Sequence, residues 1–281
     1  MRLQMCWWIR RRSWWRCWNN SRAARFLFRS DARPLAAPKG ALVGKCLSGI
    51  PEGMPRCVCM PLKYIDNESC CIAHFLKAML NHNFAFTPAE LRKLRALSTP
   101  HKIQCFLDEI PYHLAATAWS PRRVLAERTA HCLEGAIFAA AALRANGYPP
   151  LVMDMEAERD TDHVIAIYRV GGHWGAIAKS NYSGCRGRQP IYRTLRELAL
   201  SYFEDYFSMR RHYSMRTYSR PVNLARFDHL NWMTSEKSVW FIPEYLCDIF
   251  HYKLLRRGMV RRLVPADRRT LEAGVVGRKW E

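Results

Sequence analysis

Acidic residues are scarce in this chain: 24 Asp and Glu stand against 44 Lys and Arg over 281 residues, a formal net charge of +20. A balance this basic puts nucleic acid or another acidic partner among the readings to be tested. Long hydrophobic runs are missing too. The longest, Ala136 to Leu143, falls far short of the roughly 20 residues a membrane span needs. An export signal is not expected, because Arg10 to Arg12 and Arg16 interrupt what would be its apolar stretch. Without export, eleven cysteines, an odd number, do not read as a disulfide framework; they fit a reducing compartment, the cytoplasm. No internal repeat and no phosphate loop is visible, since Gly171-Gly172 and Gly184 to Gly187 lack the spacing. Cys57, Cys59, Cys70, Cys71 and His74 match no zinc pattern. No metal and no other cofactor is therefore expected.

What is present argues for a folded protein. With 49% apolar and 12% aromatic residues, the composition excludes a wholly disordered chain, a collagen and a coiled coil. The front differs from the rest. Residues 1–60 hold twelve Lys or Arg against Asp31 and Glu52, and Trp7, Trp8, Trp14, Trp15 and Trp18 crowd the same stretch without helical or strand period. A mitochondrial presequence, a nucleic-acid-binding arm and a disordered or mis-started leader upstream of a start near Met54 or Met60 all fit parts of this pattern. The leader is the reading adopted for residues 1–59, followed by a domain over 60–230 and a helical extension with a basic tail over 231–281.

Within the domain, Thr87, Pro88 and Glu90 form a helix-opening capping box, and Ser120-Pro121 opens another helix. Pro100 is expected to end a segment, with a helix over Lys102 to Ile110. From a cap at Thr129 to the stop at Gly147, the chain is apolar on nearly every face and predicts a buried helix carrying Cys132 in its first turn. Unpaired N–H groups and the positive end of the dipole would there lower the thiol pKa. A short strand at Leu151 to Met155 follows, then a strand opening at Asp162-His163, a Gly171-Gly172 hairpin, and a return strand from His173 to Ser180. With the two glycines as the loop, Val170 faces His173 and His163 faces Ser180; a one-residue bulge would substitute Asn181. A thiol, an imidazole and a polar orienting group are the parts of an activated nucleophile.

These pieces, read together, resemble the transglutaminase-like branch of the papain-like fold. The matching text is Ala130 to Ala136, Leu143 to Pro149, Asp162 to Val164 and Gly172 to Trp174. The run from about Leu94 to Leu230, through Pro111-Tyr112, Ser120 to Leu125, Arg196 to Phe203 and Tyr218 to Pro221, is similar to bacterial proteins of unassigned function that carry such a domain. The resemblance implies an α+β fold in which a helical N-terminal half, with its Cys-bearing buried helix, packs on a small antiparallel sheet. It implies a thiol-dependent acyl-transfer enzyme (a peptidase, an amidase or a transglutaminase) acting on peptide or protein. Cys132 would be the nucleophile and His163 the base. Transglutaminases place an Asp a few residues after the strand Trp; the candidates here are Ser180 and Asn181. Gln104, Tyr112 and His131 are candidate oxyanion donors.

Other readings remain. Asp154, Glu156, Glu158, Asp160 and Asp162 form either a solvated acidic loop or a rim for a cationic group or Ca²⁺, and Asp162 is placed to raise the His163 pKa. Arg210 to Arg220, with Tyr213 and Tyr218, is a solvated edge or a nucleic-acid patch. The aromatics from Leu195 to Phe207 read as helix and core, and Trp240 to Leu255 as a further helix. A nonenzymatic basic binding protein, or a scaffold that keeps the fold without catalysis, are the alternatives to an enzyme.

Overall fold

Caps and prolines start the helices. The computed structural model describes residues 85–280; the leader at 1–59 and the group formed by Cys57, Cys59, Cys70, Cys71 and His74 lie outside the described residues. Helix α1, Pro88–Ala96, opens on a reciprocal box: Glu90 N donates to Thr87 Oγ1 (3.2 Å) and Thr87 N to Glu90 Oε2 (2.7 Å). Helix α2, Pro100–Glu109, corrects an expectation. Pro100 opens it rather than closing the previous segment, because Thr99 caps the turn and a proline at the first helical position lacks only an N–H that would be unpaired anyway. Helix α3, Pro121–Glu127, starts from Ser120 as read. Helix α4, Cys132–Ala145, is capped by His131 rather than Thr129, whose hydroxyl donates to Pro111 O (3.0 Å).

Among the described residues seven strands form: β1 Leu151–Ala157, β2 His163–Val170, β3 His173–Ile177, β4 Arg188–Tyr192, β5 Met215–Ser219, β6 Val222–Asn223 and β7 His251–Lys253. Every pairing is antiparallel, in the order β4-β3-β2-β1-β5-β7 with β6 on β1. The fold is α+β. Gly171 and Gly172, at φ +55° and +81°, make the tight turn of the β2–β3 hairpin. Its ladder runs in the register read from the sequence, from Val170↔His173 to Ala166↔Ile177, and stops there. Beyond Ile177 the chain is drawn onto α2. Ala178 pairs with the side-chain amide of Gln104 (3.0 Å at both ends), and Lys179 Nζ donates to Leu107 O and Ile110 O at the end of α2. His163 therefore pairs with Met155 on β1, and Ser180 never reaches it.

The sheet has a core on each face. Helix α4, buried almost throughout, packs on one face against Val152, Val164 and Ala166. Its small residues permit a close approach: a Cβ on Gly135 would sit 2.5 Å from Lys179 Cβ. The other face carries Met153, Met155, Ile165 and Ile167 beneath helix α5, Leu195–Leu200, and Tyr202 and Tyr206. Residues beyond 230 contribute to both cores: Leu254 joins the second, and Trp232, Met233, Val239, Ile242 and Leu246 join the first. Trp232 is fully buried there, as is Ile242 of helix α6, Phe241–Asp248. The helix expected over Trp240 to Leu255 ends at Asp248, and β7 then adds to the sheet edge beside β5. A boundary at residue 230 thus cuts both cores. The basic tail holds two short helices, α7 Arg257–Val260 and α8 Arg268–Gly274. Among the described residues no helix is long and apolar enough to cross a membrane.

Candidate active site

Cys132 is the first residue of α4 and is partly exposed. Its Sγ lies 3.9 Å from the carbonyl of Asp162, the residue before His163. Two N–H groups favour the thiolate, that of Val164 on β2 and, at the helix tip, that of Leu133. Burial outweighs them. Loss of solvation, helped by the nearby carboxylates of Asp154 and Glu134, pushes the thiol from an ordinary 9.0 up to about 11. The lowered pKa expected from helix position is overturned.

His163 opens β2 and is 5% exposed. Its Nε2 lies 2.9 Å from Cys185 O. A carbonyl only accepts, so Nε2 carries the proton and Nδ1 is the basic nitrogen. The rings of Tyr202 and Tyr206 meet the imidazole edge-on at 6.2 and 6.3 Å. Desolvation in this setting pulls the pKa down from 6.5 to about 4, against the small opposing pull of the Cys185 carbonyl. Asp162 does not raise it; its Oδ1 accepts from Ala157 N (2.8 Å) in the turn between β1 and β2.

Cys132 and His163 line one cavity of about 210 Å³, which Ser180 and Asn181 also line. Neither of the latter supplies the contact to Nε2. Ser180 Oγ accepts from Tyr182 N (3.0 Å), and both ends of the Asn181 amide are bonded to Lys279. The orienting group is the main-chain oxygen of Cys185. Among the candidate oxyanion donors, Gln104 is committed to Ala178, and His131 Nε2 donates to Thr117 O (2.8 Å). Tyr112 lines the cavity beside Cys132. A second cavity, about 220 Å³ and mainly apolar, also reaches Cys132 and is walled by Leu114, Leu133, Val164 and Leu246.

Beside Cys132, in the same first turn of α4, lies a polar cluster that sequence reasoning missed. Glu134, fully buried in the first turn of α4, accepts from Thr117 Oγ1 (2.5 Å), Trp119 N (3.1 Å) and His131 N (3.2 Å) and lies 3.1 Å from His113 Nδ1. Burial raises its pKa, but His131 and these hydrogen bonds win and hold it below the ordinary carboxylate value. The signal was legible: an acid three residues after His131 is the capping-box position. The acidic loop is engaged locally. Asp154 pairs with His251 (3.1 Å), Glu156 accepts from Thr217 (2.5 Å), Glu158 from Arg216 (2.9 Å) and Asp160 from Ser214 (2.6 Å). The aromatics of the 210–220 segment are likewise packed, Tyr213 on Phe203 and Tyr218 on Tyr252. Among the described residues no group of three or more His, Cys, Asp or Glu could hold a metal ion. In comparison with known proteins, the sequence matches no family model and no curated protein.

Proposed function

We propose that this chain is a thiol-dependent acyl-transfer enzyme on a transglutaminase-like, papain-like core, with a peptide or protein amide as substrate. The observation that carries the reading is that the Cys132 thiol and the His163 imidazole, the latter held in one tautomer by Cys185 O, open into one cavity. In the first step, Nδ1 of His163 takes the thiol proton while the sulfur attacks the carbonyl carbon. N–H groups at the start of α4 face the developing oxyanion. The carbon–nitrogen bond then breaks, the leaving amine takes the proton from His163, and a thioester on Cys132 remains. Water or a second amine discharges it. Free thiols at Cys105, Cys132, Cys185 and Cys247 fit a reducing, cytoplasmic setting.

The two groups that share the cavity are both neutral at rest, the thiol pushed up to about 11 and the imidazole pulled down to about 4. His163 therefore works as a general base rather than as half of a standing ion pair, and a carbonyl stabilises the imidazolium less than a carboxylate does. Turnover is slow on this reading. The same pKa directions favour the second reading, a scaffold without catalysis. Incubation with a small activated ester separates the two. An acyl group found by mass spectrometry on Cys132, lost in Cys132→Ser and formed more slowly in His163→Gln, is the expected result. Alkylation of Cys132 without any acyl adduct would favour the scaffold.

A further inference from the structure

We propose that the cavity shared by Cys132 and His163 binds an extended polypeptide, that Asn181 reads the backbone of that polypeptide, and that segment 275–280 of this chain occupies the position in cis. The contact is specific in kind. Asn181 Nδ2 donates to Lys279 O (2.9 Å), and Asn181 Oδ1 accepts from Lys279 N (2.8 Å). One side-chain amide thus offers a single residue the donor and acceptor that a neighbouring strand would offer it. Such a reader recognises any residue with a free N–H, whatever its side chain.

The neighbouring contacts give this position a preference. The Arg278 guanidinium lies 4.6 Å over the Tyr182 ring, and its charge is felt by Asp160 in the same cavity wall. A cationic residue just before the residue read is favoured. Upstream, Ser183 fastens the segment by its N–H to Gly274 O (2.9 Å) and its hydroxyl to Ala273 O (2.6 Å). Lys279 and Trp280 are themselves exposed. The strap is therefore held mainly through its backbone, with no buried apolar anchor at its end, and a polypeptide in trans can displace it. A tethered competitor acts at an effective concentration on the order of millimolar, so displacement is best read after the strap is weakened.

The proposal deepens the acyl-transfer reading by naming the substrate as an extended chain with a basic residue, and it rests on that reading for its biological meaning. Its test does not need catalysis. The full chain is treated with iodoacetamide, and modification of Cys132 is followed by peptide mass spectrometry. Lys279→Pro removes the N–H that Asn181 accepts; Asn181→Leu removes the reader. Each is expected to speed modification about tenfold, as for a segment that opens more often once its hydrogen bonds are lost. A synthetic, end-blocked peptide of residues 275–280 should restore protection in Lys279→Pro and fail to do so in Asn181→Leu. Unchanged rates in both variants, no protection of Lys279→Pro, or equal protection of Asn181→Leu would each overturn the proposal. Peptide protection without an acyl adduct would sink the enzyme and leave the binding site standing; an acyl adduct without peptide protection would do the reverse.

Discussion

At Cys132 a helix tip and a dry environment pull in opposite directions, and the dry environment wins; at His163 nothing opposes burial except one carbonyl. The sign of the consequence is fixed. The imidazole binds its proton at about 4 in the folded chain against an ordinary 6.5. As pH falls through that window the unfolded state protonates first, so stability present above 6.5 is lost on acidification towards 4. The loss amounts to ~3 kcal/mol from this residue. An NMR titration of the labelled imidazole should stay flat until near the lower value, and His163→Gln should flatten this part of the stability profile. Both candidate residues were legible because a helix start and a strand start leave patterns in sequence. The third partner was not, since a main-chain oxygen such as that of Cys185 has no residue signature. Ser180 and Asn181 were read from a ladder that ends three residues before it would reach Ser180.

At the scale of elements, α4 approaches the 178–180 segment at Gly135. Alanine at 135 would gain up to about 1 kcal/mol of helix propensity, yet its Cβ would lie 2.5 Å from Lys179 Cβ. The helix and the 178–180 segment must separate to admit it. Gly135→Ala is therefore expected to destabilise by about 1–3 kcal/mol net, read as a lower denaturant midpoint. An unchanged or raised midpoint would show that the two segments are not in close contact. Caps such as Thr87-Glu90 and Ser120 act within a few residues and could be read directly. Pro100 was misread because a proline marks both ends of helices, and only Thr99 beside it tells which. The departure of the chain after Ile177 was hidden for a different reason: Gln104, which draws it away, is distant in sequence.

At the scale of the molecule, one side-chain contact that ties the late part of the chain to the sheet is Asp154–His251, beside the β5–β7 ladder. Both side chains are nearly buried, and His251 reaches Ile249 O (2.9 Å) with one nitrogen and Asp154 Oδ2 (3.1 Å) with the other. Burial lowers the imidazole pKa, but the Asp154 carboxylate outweighs it and holds it above the ordinary value. His251→Ala strands a buried carboxylate and should cost about 3 kcal/mol, with the slope of the denaturant transition unchanged if the edge strand stays in place. The α+β class was legible through the resemblance, and the boundary at residue 230 followed the end of the resembling run; that run stops short of Trp232, whose burial depends on packing against distant helices. The candidate site joins a helix on one side of the sheet to a strand of that sheet, so a rate that needs both is its most direct test. The pH dependence of Cys132 acylation by an activated ester, measured in the wild type and in His163→Gln, provides it. With His163 as base, the wild-type rate should rise near pH 4, hold a plateau from about 5 to about 9, and climb again as the thiol ionises towards about 11. The variant should keep only that final climb, about tenfold per pH unit. Identical profiles with no plateau in either protein would mean that the imidazole does not act on the sulfur.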